Sequence, residues 1–177
     1  MQILSNELQR YLPEQFGNES RYDVQTYAIT KSFIAANHPK VIHLDFGDPD
    51  NYGHAGQYDS YLDAAHYLDA MIGSLWNDMQ EDDFYKDNTT FLIFPDHGRG
   101  ANKNWTSHGF WARRSDETWL AVLGPKSPAE GEKKDKMQIY QDQFAQTISQ
   151  LLGFTFTANH PVGDPLPTVN KRSISFK

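Results

Sequence analysis

The alternation of short apolar runs with helical segments most constrains what this chain can fold into. Three runs have the length and the β-branched and aromatic content of buried strands: 41–46, 89–94 and 118–123. The first carries apolar residues on both faces, which is typical of a strand covered on both sides. Strands separated by helices indicate an α/β fold. We therefore predict a three-layer α/β/α architecture with a mainly parallel sheet.

Helical periodicity is clear in three segments. A helix is expected over about 23–36, with Asp23 as its N-cap, and a last helix over about 139–152, ended by Gly153. The strongest pattern predicts a helix over about 57–80, because its apolar residues recur at intervals of three and four. That apolar stripe consists of Tyr61, Ala65, Leu68, Ile72, Leu75 and Met79.

Composition excludes several classes of function. The chain has no cysteine, which removes disulfides, thiolate metal sites and a cysteine nucleophile. Its net charge of −7 offers no broad surface for nucleic acid. No apolar stretch approaches the roughly 18 residues that span a bilayer, and no signal peptide is visible.

The chain is expected to form part of one domain over residues 1–177. Segments 1–20 and 160–177 are expected to be peripheral, because the first lacks periodicity and the second is rich in proline and serine. The charged stretch 130–136 is interpreted as a solvated loop or the start of a helix.

Acidic residues and histidines collect in the loops at the predicted strand ends. In open α/β sheets, loops at the carboxyl ends of strands build the functional site. These residues are Asp50 and His54 after the first strand, Asp96 and His97 after the second, and His108 before the third.

This set suits a metal site. Asp50 and His54 are four residues apart and converge on one ion if their turn is helical. Asp96 and His97 are adjacent and reach one ion or two neighbouring ions. Carboxylate oxygen with imidazole nitrogen suits Zn²⁺, Mn²⁺ or Fe²⁺ better than Ca²⁺. Taken singly, each residue has the alternative interpretation of a turn former or a surface group.

The ordered motifs resemble a known family. They are Pro49-Asp50-x-x-Gly53-His54-x-Gly56, a hydrophobic strand running into Asp96-His97-Gly98, then His108-Gly109, a strand ending at Gly124-Pro125, and the segment Gln143 to Gly153. Together they are similar to the C-terminal part of the alkaline phosphatase superfamily, which includes phosphodiesterases, cofactor-independent phosphoglycerate mutases and, more distantly, sulfatases. The resemblance covers roughly residues 40–155 and implies an alkaline-phosphatase-like partial domain.

The resemblance also implies roles for individual residues. Asp50, His54 and His108 match the ligands of one divalent ion, and Asp96 and His97 match two ligands of a second, with zinc or manganese expected. A further Asp ligand and a Ser or Thr nucleophile belong to the N-terminal half of the family's domain. We find no residue in this chain that matches either one, so no catalytic nucleophile is assigned.

Several neighbouring residues leave alternatives open. Arg99 either touches a substrate phosphate or is a solvated loop arginine. His43 and Asp45 either support the metal ligands or pack at a strand end, and His66 and Asp69 pair on the long helix. Three aromatic residues around His108 either line a substrate pocket or anchor a loop: Trp105, Phe110 and Trp111.

The function implied by the resemblance is metal-dependent hydrolysis of phosphate mono- or diesters. A sulfatase-type hydrolase and a non-catalytic metal-binding or interaction fragment are the alternatives. The expected partners are a small-molecule phosphate or sulfate ester and the N-terminal half of the domain, and this chain alone is expected to be inactive. Many family members are exported, which favours a periplasmic or extracellular location.

Overall fold

The computed structural model describes residues 21–133 and 138–167, which form two compact units. The first unit contains residues 21–86 and 97–117, and the second contains 87–96 together with the described residues from 118 onward. The predicted peripheral segment 1–20 and most of segment 160–177 lie outside the described residues. No helix in the described ranges combines the length and apolar character needed to cross a bilayer.

The first unit contains three helices. They are α1 (Asp23–Asn37), α2 (Asp48–His54) and α3 (Tyr58–Glu81). The periodicity therefore predicted α1 and α3 to within a residue, and Leu75 and Met79 of the predicted stripe are buried. The stripe is displaced at one position, because Ala64 is buried and Ala65 is exposed.

Polar contacts join α1 to α3. The Tyr27 hydroxyl donates to Ser74 Oγ at 2.7 Å, and Lys31 Nζ lies 2.7 Å from Asp78 Oδ2. His38 follows the last residue of α1, adopts a left-handed conformation with φ 45°, and its Nε2 lies 3.1 Å from Oδ2 of Asp82, the residue after α3. These contacts hold α1 beside the long helix.

The loop expected to carry Asp50 and His54 is instead largely the helix α2. No side chain next to α2 caps its start, so its first N–H groups need another partner. Asp23 provides it from 25 residues away: its carboxylate accepts the N–H of Gly47 at 2.7 Å and that of Asp48 at 3.1 Å. The Asp23 N–H donates in return to Asp48 Oδ2 at 3.1 Å. The two helix starts are thus bonded reciprocally, and Asp23 caps α2 rather than α1.

The predicted first strand does not form a ladder. Residues 41–46 have no helix or strand assignment; Val41, His43 and Asp45 are exposed, whereas Ile42, Leu44 and Phe46 are partly buried. The alternation is that of an extended segment covered on one face, so the expectation of burial on both faces is wrong. Because it has no hydrogen-bonded neighbour in the described part of the chain, this extended run is not a strand there.

The second unit contains a small sheet and a helix. Strands β1 (Phe91–Ile93) and β2 (Ala121–Leu123) lie inside two predicted runs, and α4 (Phe144–Leu151) lies inside the predicted last helix. The strands pair antiparallel, with Leu92 opposite Val122. The mainly parallel sheet is therefore not seen in the described ranges. A parallel connection needs a crossover, usually a helix, whereas residues 97–117 between these strands form an irregular loop of the first unit.

The C-terminal part of the second unit packs into its interior. Leu166 is 2% exposed, although the segment from residue 160 was expected to be peripheral. Its N–H donates to Thr147 Oγ1 at 2.9 Å, and the Thr147 hydroxyl donates to the Gln143 carbonyl at 2.7 Å. Thr147 itself is 1% exposed, so one buried hydroxyl joins α4 to residue 166.

Replacing Thr147 by valine should destabilise the second unit by about 1 to 3 kcal/mol, because the buried Leu166 N–H loses its acceptor. Chemical denaturation measures the change. Thr147→Ser keeps the hydroxyl and is the matched control, so a valine variant as stable as the serine variant would contradict this role for the hydrogen bond.

Stability should also depend on the ionisation of Asp23. Burial raises its pKa from 3.8 to about 6, the hydrogen bond from Gly47 opposes the rise, and the neighbouring charge of Asp48 adds to it. A raised carboxyl pKa means that the folded state binds the proton more tightly. The stabilisation of the folded state by protonated Asp23 is therefore fully present below pH 3.8 and is lost as the pH rises toward 6. The free energy of unfolding falls by about 3 kcal/mol in all over this range.

Urea unfolding between pH 4 and 7 tests this dependence. The unfolding free energy of the Asp23→Asn variant should fall less steeply with pH over that range than that of the wild type. Asp63→Asn, on the exposed surface of α3, controls for the loss of one negative charge. Equal slopes for the wild type and Asp23→Asn would show that Asp23 does not titrate in this way.

Candidate metal centre

Helix α2 brings the first two candidate ligands together. Asp50 and His54 are one turn apart, so their side chains share a face. His54 Nε2 lies 3.3 Å from Asp50 Oδ2. The two side chains were expected to converge on one ion if their turn was helical, and α2 is that helical turn.

His108 joins this pair from the loop 97–117. Its Nε2 lies 2.9 Å from His54 Nε2 and 3.7 Å from Asp50 Oδ1. One ligand atom from each of the three residues lies within 4.8 Å of the other two. The three side chains are between 30% and 50% exposed, so the group is open to solvent on one side.

The arrangement fits a divalent cation. Ligand bonds to Zn²⁺ of about 2.0 to 2.2 Å place tetrahedral ligand atoms roughly 3.3 Å apart, and the measured separations lie on either side of that value. Two imidazole nitrogens facing each other must share either a proton or a cation. Two imidazoles and a carboxylate match Zn²⁺ or Mn²⁺, and three protein ligands leave a position for water or substrate.

His97 borders this group. Its ring stacks on that of His108 with centroids 3.5 Å apart, and its Nε2 lies 3.8 Å from Asp50 Oδ1. Its Nδ1 lies 2.9 Å from the Gly98 carbonyl. Since a carbonyl only accepts, Nδ1 carries a proton, and in the neutral ring Nε2 is then the atom able to ligate a metal.

Asp96 belongs to the second unit and is exposed, and its backbone carbonyl accepts a hydrogen bond from the Gln141 amide. His97 belongs to the first unit. Shared ligation of a second ion by Asp96 and His97 stays a prediction.

Arg99 is not a solvated loop side chain, because only 13% of it is exposed. Its Nη1 bonds Asp50 Oδ1, and its Nε donates to the Trp105 carbonyl at 2.7 Å. Sequence reasoning weighed only a phosphate contact and solvent exposure for this residue. It missed the internal ion pair because nothing in the local sequence relates Arg99 to a residue 49 positions earlier.

The aromatic residues near His108 divide into two groups. The Trp105 ring packs edge-on against Tyr58 and Tyr61, with centroids 5.3 and 5.9 Å away, and so anchors its loop. Phe110 and Trp111 contact each other but are 89% and 90% exposed. The sequence placed Tyr61 in the apolar stripe of the long helix, but it related neither Tyr58 nor Tyr61 to Trp105.

The two polar pairs flagged in the sequence lie elsewhere. His43 and Asp45 are exposed on the extended segment 41–46. His66 and Asp69 are exposed on α3. No contact that we describe links either pair to the metal ligands.

Comparison with protein families gives one match, to the Metalloenzyme superfamily, over residues 12–110. This range is more than half of the chain and contains all five candidate ligands. It stops before β2 and α4, for which the resemblance stays a prediction. Comparison with curated proteins and with solved structures gave no significant match. With its motif order and its clustered ligands, this chain belongs to the Metalloenzyme superfamily, a family of the alkaline phosphatase-like superfamily.

Proposed function

We propose that this chain forms the metal-binding part of a hydrolase that cleaves phosphate mono- or diesters. The observation that carries the proposal is the convergence of Asp50, His54 and His108 in a chain of a metalloenzyme family. Two divalent ions, zinc or manganese, are proposed, with Asp96 and His97 contributing to the second. The N–H of His97 held by Gly98 orients its ring for that role.

The charge of the protein supports a metal-dependent reaction. A chain with a net charge of −7 repels an anionic ester, and a bound cation reverses that effect locally. Bound divalent ions lower the pKa of a nucleophile and stabilise the charge on the attacking and leaving oxygens. Asp50 supplies the one anionic ligand of the group, and its partial exposure leaves the group accessible to a small-molecule substrate.

The nucleophile is proposed to come from the N-terminal half of the family's domain. Thr106 and Ser107 lie next to His108, but neither makes a contact that would activate it among those we describe. Arg99 remains a proposed contact for the substrate only if its guanidinium leaves its present partners. A periplasmic or extracellular location is proposed from the family alone.

A sulfatase-type hydrolase is the second candidate. It is favoured by the observation that the described residues assemble one three-ligand group, since sulfate enzymes of this kind use one metal. A two-metal phosphate enzyme instead needs Asp96 and His97 at a second ion. The number of ions bound therefore separates the two proposals.

Metal binding can be measured on the full chain after chelation. Titration with Zn²⁺ or Mn²⁺ in a calorimeter should show stoichiometric binding, and His54→Ala should weaken it at least tenfold because one of three clustered ligands is lost. His66→Ala, an exposed histidine on α3, is the matched control and should bind as the wild type does. The absence of stoichiometric metal in the wild type would contradict the site.

Hydrolysis should be assayed on a protein that carries this chain together with the N-terminal half of the family's domain. We expect turnover of p-nitrophenyl phosphate or bis-p-nitrophenyl phosphate that is abolished by His54→Ala and kept by His66→Ala. Preferred turnover of p-nitrophenyl sulfate would favour the sulfatase alternative. Metal binding with no turnover of any of the three would support the non-catalytic alternative.

A further inference from the structure

The guanidinium of Arg99 lies inside the first unit, between Asp50 of α2 and the Trp105 carbonyl of its own loop. Its Nη1 bonds Oδ1 of Asp50, and its Nε donates to the Trp105 carbonyl at 2.7 Å. Its Cζ lies 6.0 Å from the centre of the Tyr61 ring. Two of its nitrogens are therefore committed to protein oxygens, and the side chain bridges α2 and the loop that carries His108.

Gly53 makes room for this side chain. It is buried in α2, one residue before His54, and a Cβ atom built on it would overlap the Arg99 guanidinium. The φ of Gly53 is not in the left-handed region, so the backbone does not demand glycine here. Glycine at this position leaves space for the guanidinium.

The contact fixes one oxygen of Asp50. Arg99 bonds Oδ1, which also lies 3.7 Å from His108 Nε2, whereas Oδ2 lies 3.3 Å from His54 Nε2. An aspartate that is 37% exposed would otherwise rotate, and fixing it carries an entropic cost. The planar guanidinium keeps its charge and fixes the direction of its partner. The carboxylate is thus held beside both His54 and His108 before any ion arrives.

We propose that Arg99 is a positioning residue that fixes the Asp50 carboxylate for cation binding, and that Gly53 is the residue that allows it. The inference rests on the metal-binding part of the proposed function and is independent of which ester is cleaved. It differs from substrate binding by Arg99, since the partner of the guanidinium is a ligand residue of this chain.

Charge and orientation act in opposite directions here. A guanidinium beside the ligands repels an incoming cation, so deleting its charge would by itself tighten metal binding. Arg99→Lys and Gly53→Ala both keep a positive charge on residue 99. They change the geometry alone: lysine lacks the planar fork, and the alanine methyl displaces the flexible end of the arginine and not the backbone.

The test is a titration of the full chain with Mn²⁺ after a chelator has removed bound metal. The affinity is obtained from the electron paramagnetic resonance signal of the unbound ion. Both variants should bind Mn²⁺ about 10 to 100 times more weakly than the wild type, the usual cost of losing a group that orients a ligand. Gly73→Ala is the matched control, because Gly73 also lies inside a helix and nothing lies within 4 Å of its built Cβ. It should bind as the wild type does.

A second measurement needs no metal. In the ¹⁵N spectrum of the metal-free protein, the Nε–H of Arg99 should give a resolved, slowly exchanging signal because it is bonded to the Trp105 carbonyl. Gly53→Ala should move that signal to the position of exposed arginines, and Gly73→Ala should leave it in place.

The outcomes separate this inference from the proposed function. Unchanged Mn²⁺ affinity in both Arg99→Lys and Gly53→Ala overturns the positioning role, whatever the enzyme hydrolyses. A raised KM at saturating metal with unchanged metal affinity overturns it too and assigns Arg99 to the substrate. Weakened metal binding in a protein that hydrolyses no ester supports the positioning role and contradicts the hydrolase. A wild type that binds no Mn²⁺ overturns the inference together with the site.

Discussion

The reciprocal hydrogen bonds between Asp23 and Asp48 are the constraint on which the site depends. Asp23 is 3% exposed, and its carboxylate accepts two N–H groups at the start of α2. A helix of seven residues without a local cap has little stability of its own. Capping from α1 compensates for this, and because α1 is bonded to α3, the start of α2 is held in a stable frame. The arrangement keeps the Asp23 carboxyl buried, which raises its pKa.

A short helix held at its start can present two ligands at once. Asp50 and His54 lie one turn apart on α2, and the loop 97–117 brings His108 to meet them. Arg99 and Gly53 act at this junction, because the guanidinium occupies the space where a side chain would otherwise stand. Loop residues are normally mobile. The ion pair between Arg99 of the loop and Asp50 of α2 holds the loop to the helix, although the loop backbone is irregular.

The sequence identified the candidate ligands but predicted only part of the fold, and the structure shows why. The helices α1 and α3 were predictable because their apolar spacing is local. The segment that forms the short α2 was interpreted as a loop, because its glycine and proline are typical of turns and its capping residue lies 25 positions before Asp48. Strand pairing was not predictable for the same reason: the runs that became β1 and β2 were identified, but their antiparallel register depends on partners distant in sequence.

The sequence by itself determined which chemical groups are present: imidazoles and carboxylates, with no thiol and with a net charge of −7. It also places the chain in a metalloenzyme family. Only the tertiary structure decided which of those groups meet. It joined Asp50, His54 and His108, stacked His97 beside them, and turned Arg99 inward to a ligand carboxylate. The physical reason is that ligand type is a property of each side chain, whereas ligand distance depends on packing between segments some fifty residues apart.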